Sequence, residues 1–60
     1  MKQSIREAIE FLEKEFLNEV AAAYSVKDHP HAYDVFRKRA EGFEKAMNLL
    51  KLFLREAPAD

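Results

Sequence analysis

The chain has 60 residues, a formal net charge of −1 and no cysteine. A chain this short makes one small domain at most, and folding alone is marginal for it without staples or partners. Absence of Cys removes disulfides, thiolate nucleophiles and thiolate metal sites. With 48% hydrophobic and 35% charged residues, it is too apolar for disorder. It is also too evenly charged for a global pull toward nucleic acid or anionic membrane.

Met1-Lys2-Gln3-Ser4 leads straight into a charged amphipathic pattern, so no signal peptide is expected. The longest apolar run, Val20 to Tyr24, is far short of the ~20 residues of a membrane span. A cytoplasmic location is the expectation. One Gly and two Pro leave little turn chemistry, which predicts few and long elements.

The first predicted element is a helix over about 4–26. Ser4 and Glu7 have the S-x-x-E spacing of a capping box, placing its start at Ser4. Apolar residues follow at Ile5, Ile9, Leu12, Phe16, Ala23 and Val26, a three–four alternation that marks one helix face. Glu19 holds the one polar place in that series. Ala21-Ala22-Ala23 carries the helix to about Tyr24 or Val26.

A turn is predicted at about 25–29, with Asp28 as N-cap and Pro30 in the first turn of the next helix. The second helix is expected over about 29–56. Its seam reads Tyr33, Phe36, Ala40, Phe43, Met47, Leu50 and Leu54, which are heptad a and d positions, the pattern of a left-handed helix pairing. Ala57-Pro58-Ala59-Asp60 ends it. Gly42 sits inside this helix and off the seam, at a cost of about 1 kcal/mol relative to Ala. It is either a tolerated surface glycine or a place where another helix comes close.

Folded antiparallel, the two stripes register. Ala23 faces Tyr33, Phe16 faces Ala40, Leu12 faces Phe43, Ile9 faces Met47 and Ile5 faces Leu50, with large residues meeting small ones toward the turn. Charge agrees with this pairing. Lys2, Arg6 and Lys14 stand against Glu7, Glu10, Glu13, Glu15 and Glu19 on the first helix, net −2. Six basic and four acidic residues give the second helix a net +2.

A hairpin cannot bury everything this sequence offers. Phe11 lies on one flank of the first stripe, and Leu17, Ala21 and Tyr24 lie on the other. Ala32, Val35, Ala46, Leu49 and Phe53 form a second face on the second helix, and Leu52 projects opposite. Each large side chain left in water forgoes roughly 1.5–3 kcal/mol. Phe11, Leu17, Leu49, Leu52 and Phe53 are therefore the expected oligomer or partner interface. Ile5, Ile9, Leu12, Phe16, Phe36, Ala40, Phe43, Met47, Leu50 and Leu54 are the expected hairpin core. Lys and Arg do not border the apolar face, so membrane binding is not expected.

Polar residues offer weaker signals. His29-Pro30-His31 and the His31–Asp34 pair do not assemble a metal-ligand set, so no metal or cofactor is expected. Glu19, on the seam, is expected to pair with Arg37 or Arg39, or to fix register as a buried polar seam residue can. Tyr24, His29, Tyr33, Arg37 and Arg39 have the residue types of an anion or nucleotide pocket at the turn end of an oligomer. Arg37-Lys38-Arg39 project about 100° apart and do not form one patch. Doubling Lys27, Lys38 and Lys45 in a dimer could still build a stripe for nucleic acid.

The expected fold is an all-α, antiparallel helical hairpin, one domain over 1–60, dimerising into a four-helix bundle. The expected function is that of a protein–protein interaction module or inhibitor, self-associating and with a protein partner. Free-standing chains of this size include those made by phages and mobile elements. No catalytic constellation suggests an enzyme. In length and plan the chain is similar to the plasmid RNA-binding Rop hairpin, which makes a nucleic-acid regulator one alternative. No residue-level motif is shared. A small-anion binder is the other alternative.

Overall fold

Helix α1 spans Lys2–Ser25 and helix α2 spans Pro30–Glu56, in a computed structural model that describes residues 1–58. They fold back on each other as a hairpin, and their Cα envelope measures 47 × 14 × 9 Å. That is a slab one helix thick. Leu12 and Phe43 line one groove together, Ala23 and Tyr33 a second, and Ile5 and Leu50 a third. These three pairs are the antiparallel register expected from the stripes.

The capping box does not form. Helix α1 starts two residues earlier, with Met1 as N-cap and no side-chain cap. The Ile5 amide donates to the Met1 carbonyl at 3.2 Å. Lys2 and Gln3 are good helix formers, so nothing stops the helix at Ser4, and Ser4 becomes an interior residue. Glu7 instead accepts a hydrogen bond from the Gln3 side chain at 3.3 Å.

The connection uses no glycine, and no described residue has positive φ. The Val26 and Lys27 amides donate to the Ala23 and Tyr24 carbonyls, each at 3.2 Å, and the His29 amide to the Val26 carbonyl at 2.8 Å. The Ser25 hydroxyl donates to the Ala22 carbonyl at 2.7 Å. Together these satisfy carbonyls that a helix end leaves open. Asp28 is not the N-cap of α2. His29 is, with φ −118° and ψ 90°, and it makes no side-chain cap bond. Pro30 decides this. It takes the first helical position, and proline drives the residue before it into extended backbone.

Pro58 stops α2 in the same way. Ala57 has φ −70° and ψ 147°, the extended geometry that a following proline imposes. Arg55 lies in the last turn, where a cation complements the helix dipole. Ala59 and Asp60 lie outside the described residues.

The core is thin. Ala23, Ala40 and Met47 are the buried hydrophobic residues among those described, and no large side chain is fully buried. Ile5, Ile9, Leu12, Phe16, Phe36, Phe43, Leu50 and Leu54 are half-buried. Tyr33, expected on the seam, is exposed at the turn end. The chain exposes 4669 Å², where size scaling gives roughly 4,000 Å² for a compact monomer of this mass.

Candidate interaction surface

Helical spacing sorts the surplus apolar residues onto two sides of the slab. Nine residues are two and a half turns, so side chains nine apart point in opposite directions. Phe11 is therefore opposed to Val20, Tyr33 to Gly42, and Arg37 to Ala46. The grooves obey this division. Val20, Tyr33 and Arg37 line one groove, and Gly42 and Ala46 line another. We call these the tyrosine side and the glycine side.

The glycine side carries Val35, Gly42, Ala46, Leu49 and Phe53 from α2 and Phe11 from α1. Val35 and Phe53 are eighteen residues apart, five full turns, and so share one line along the helix. Phe11 is 61% exposed, Leu49 52% and Phe53 51%. Between them lies a groove of about 420 Å³ lined by Leu12, Arg39, Gly42, Phe43 and Ala46. Gly42 borders open space. A Cβ built on it would meet nothing within 4 Å.

The tyrosine side carries Leu17, Val20, Tyr24 and Tyr33. Its groove, about 410 Å³, is lined by Val20, Ala23, Tyr24, Lys27, Tyr33, Arg37 and Ala40. The Lys27 ammonium donates to the Tyr24 hydroxyl at 3.4 Å and stands 4.5 Å from the centroid of its ring.

The five expected interface residues thus do not share one face. Phe11, Leu49 and Phe53 lie on the glycine side and Leu17 on the tyrosine side. Leu52, nine residues after Phe43, points away from the seam. The six expected ligand or register residues divide as well. Tyr24, Tyr33 and Arg37 converge on the tyrosine groove within a single hairpin. Glu19 and Arg39 form a pair of their own. His29 is exposed at the helix start and lines neither groove. Lys27 and Val20 were not foreseen as groove residues. Their signal is the i, i+4, i+7 spacing of Val20, Tyr24 and Lys27 on one line of α1.

Glu19 is buried, and one of its oxygens accepts from Arg39 across the seam at 2.9 Å. Its other oxygen, Oε2, is buried without a hydrogen-bond partner. Arg39 stays more than half exposed and lies 5.8 Å from the centroid of the Phe36 ring. Arg37 is spoken for on its own helix. It donates to Glu41 at 3.1 Å and lies 3.7 Å from Asp34.

Lys38 lies 3.0 Å from Asp34. The hydrogen bond from Lys38 is the main reason that the Asp34 carboxyl is held below its ordinary value of 3.8. Attraction to Lys38 and Arg37 adds to it, and desolvation, acting the other way, is outweighed. All three cations in the basic run are therefore paired with carboxylates, Arg37 and Lys38 on their own helix and Arg39 across the seam. Among the described residues no three His, Asp or Glu side chains gather as a metal site. No described helix is long and apolar enough to cross a membrane.

Comparison with protein-family models, with curated proteins and with solved structures gives no match. The surface itself therefore carries the functional reading.

Proposed function

We propose that this chain is a non-catalytic protein-interaction module that self-associates, two hairpins packing through their glycine sides into a four-helix bundle. The observation that carries this is the exposure of Phe11, Val35, Leu49 and Phe53 on one side of a slab with so thin a core. A helical layer that is apolar on a second side buries that side against something. The broad side of the slab, 47 × 14 Å between Cα atoms and widened by side chains, is of the order of the ~800 Å² that each partner gives to a standard interface. A two-fold dimer is the simplest closed assembly that covers it. The tyrosine side then remains outward, with Leu17, Val20, Tyr24 and Tyr33 available to a further protein.

Sedimentation equilibrium tests the reading. The wild-type chain should be dimeric at micromolar concentration, and Phe53→Asp or Leu49→Asp should render it monomeric. A wild type that sediments as a folded monomer throughout the micromolar range defeats the proposal.

A second reading rests on the convergence of Tyr24, Lys27, Tyr33 and Arg37 on one groove. Two aromatic rings and the Lys27 ammonium over an apolar floor, with Arg37 at the rim already paired to Asp34 and Glu41, suit a small planar anion. Its mark would be a rise in melting temperature with such a ligand, lost in Lys27→Ala.

A further inference from the structure

We infer that the two-fold axis of the dimer runs parallel to the helices, so that α1 of each hairpin packs on α2 of the other and Phe11 enters the partner's Gly42–Ala46 groove. This rests on the self-association proposed above and specifies its geometry. Two closed arrangements cover the glycine sides. An axis parallel to the helices stacks α1 on the partner's α2. An axis lying across them stacks α1 on α1 and α2 on α2.

Position along the helices favours the first. A parallel axis leaves every residue at its own height. Leu12 and Phe43 share the groove floor, so Phe11, the next residue to Leu12, stands at the height of that groove. It projects from the same side of the slab. Its own hairpin does not use it, since Phe11 is 61% exposed and absent from the groove lining. A second copy turned about this axis brings its Phe11 directly over the opening. The receiving site is a hole because Gly42 has no side chain and Ala46 a short one. With Leu12 and Phe43 beneath, the groove offers a ring an apolar floor of the kind that accepts a knob in helix packing.

Charge favours the same arrangement. Helix α1 is net −2 and α2 net +2. Stacking α1 on the partner's α2 sets helices of unlike net charge together, whereas α1 on α1 sets two net-negative helices together. The local detail follows suit. Glu15 lies one turn beyond Phe11 on α1, at the height between the Leu12–Phe43 and Glu19–Arg39 contacts. It would meet the partner's Arg39. That guanidinium is 59% exposed after its bond to Glu19 and has donors to spare.

Engineered disulfides test the axis, because the chain has no native cysteine. Ala22, eleven residues and about three turns after Phe11, lies on the same line of α1 and at the height of Val35. Ala22→Cys hairpins mixed with Val35→Cys hairpins under mild oxidation should give a cross-linked heterodimer. Val35→Cys mixed with Leu49→Cys should not. Phe11→Ala should weaken dimerisation by roughly tenfold or more while leaving the helicity of the dilute monomer unchanged. Cysteine variants that link 35 to 49, or that dimerise and link neither pair, overturn the axis and leave self-association standing. Absence of any wild-type dimer overturns both.

Discussion

Arg39 reaches across the seam to Glu19 at 2.9 Å, joining a carboxylate that is 10% exposed to a guanidinium that is 59% exposed. The two ends of this bond live in different dielectric surroundings. The buried end has surrendered its water, and Oε2 has gained nothing in return. Such a pair is weak as a source of stability and costly to break from one side.

Stability should therefore rank in an unusual order. Glu19→Leu, which removes the buried charge and fills the seam, should leave the hairpin as stable as wild type or more so. Arg39→Ala, which strands the carboxylate, should cost about 1–3 kcal/mol. In the double variant the Arg39 change should become nearly neutral, giving a large coupling energy in a double-mutant cycle read by urea unfolding. If Glu19→Leu is the more damaging single change, the carboxylate is a net stabiliser and the argument fails.

Asp34 gives a pH prediction. Its carboxyl is held below 3.8 chiefly by the Lys38 hydrogen bond. The folded value lies under the unfolded one, so the stabilisation is fully present above 3.8. It is lost as pH falls through the depressed folded value. The group is at the surface, so the effect on unfolding is slight and is best seen by NMR titration of the carboxyl. Lys38→Gln should raise the Asp34 midpoint toward its ordinary value, and Arg37→Gln should raise it less. Equal shifts in the two variants would show that the hydrogen bond is not the leading cause.

The seam was legible in the sequence because core packing repeats every three or four residues, and Ile5 through Phe16 and Phe36 through Leu54 keep that period. Glu19 was legible for the same reason, as the one polar break in it. The caps were not. A capping box is a local option that competes with simply extending the helix, and Lys2 and Gln3 let extension win. At the second helix Pro30 outweighed Asp28, because a fixed φ and a missing N–H constrain more than a side-chain hydrogen bond does. The surplus apolar residues were legible as flanks on each helix, Phe11 apart from Leu17 and Tyr24, but not as joined surfaces. Which flank of α1 lies beside which flank of α2 depends on how the helices are rotated about the seam, and the groove linings reveal it.

Gly42 separates the energetics of the hairpin from those of its assembly. In the single hairpin a methyl there meets nothing within 4 Å. Gly42→Ala should then raise stability by about 0.5–1 kcal/mol through helix propensity alone, measured at concentrations too low for association. In the proposed dimer the added methyl narrows the groove that receives Phe11, so the gain should shrink at concentrations where that dimer forms. A destabilised dilute monomer would mean that the backbone at Gly42 is already in close contact.

Met47 and Phe53 provide the last contrast. Met47 is 7% exposed, against 51% for Phe53. Truncating a buried methionine to alanine costs about 2–5 kcal/mol, as much as a core of this size supplies in total. Met47→Ala should therefore lose helical circular dichroism at every protein concentration, and Met47→Leu, which conserves volume, should restore most of it. Phe53→Ala removes a ring that the single hairpin leaves half exposed, so the dilute chain should lose clearly less stability than with Met47→Ala. The larger part of its penalty should appear in the concentration-dependent part of the unfolding curve, where burial by a second copy would contribute. If Phe53→Ala unfolds the dilute hairpin as severely as Met47→Ala does, Phe53 belongs to the core of the single chain and the glycine side loses one of its anchors.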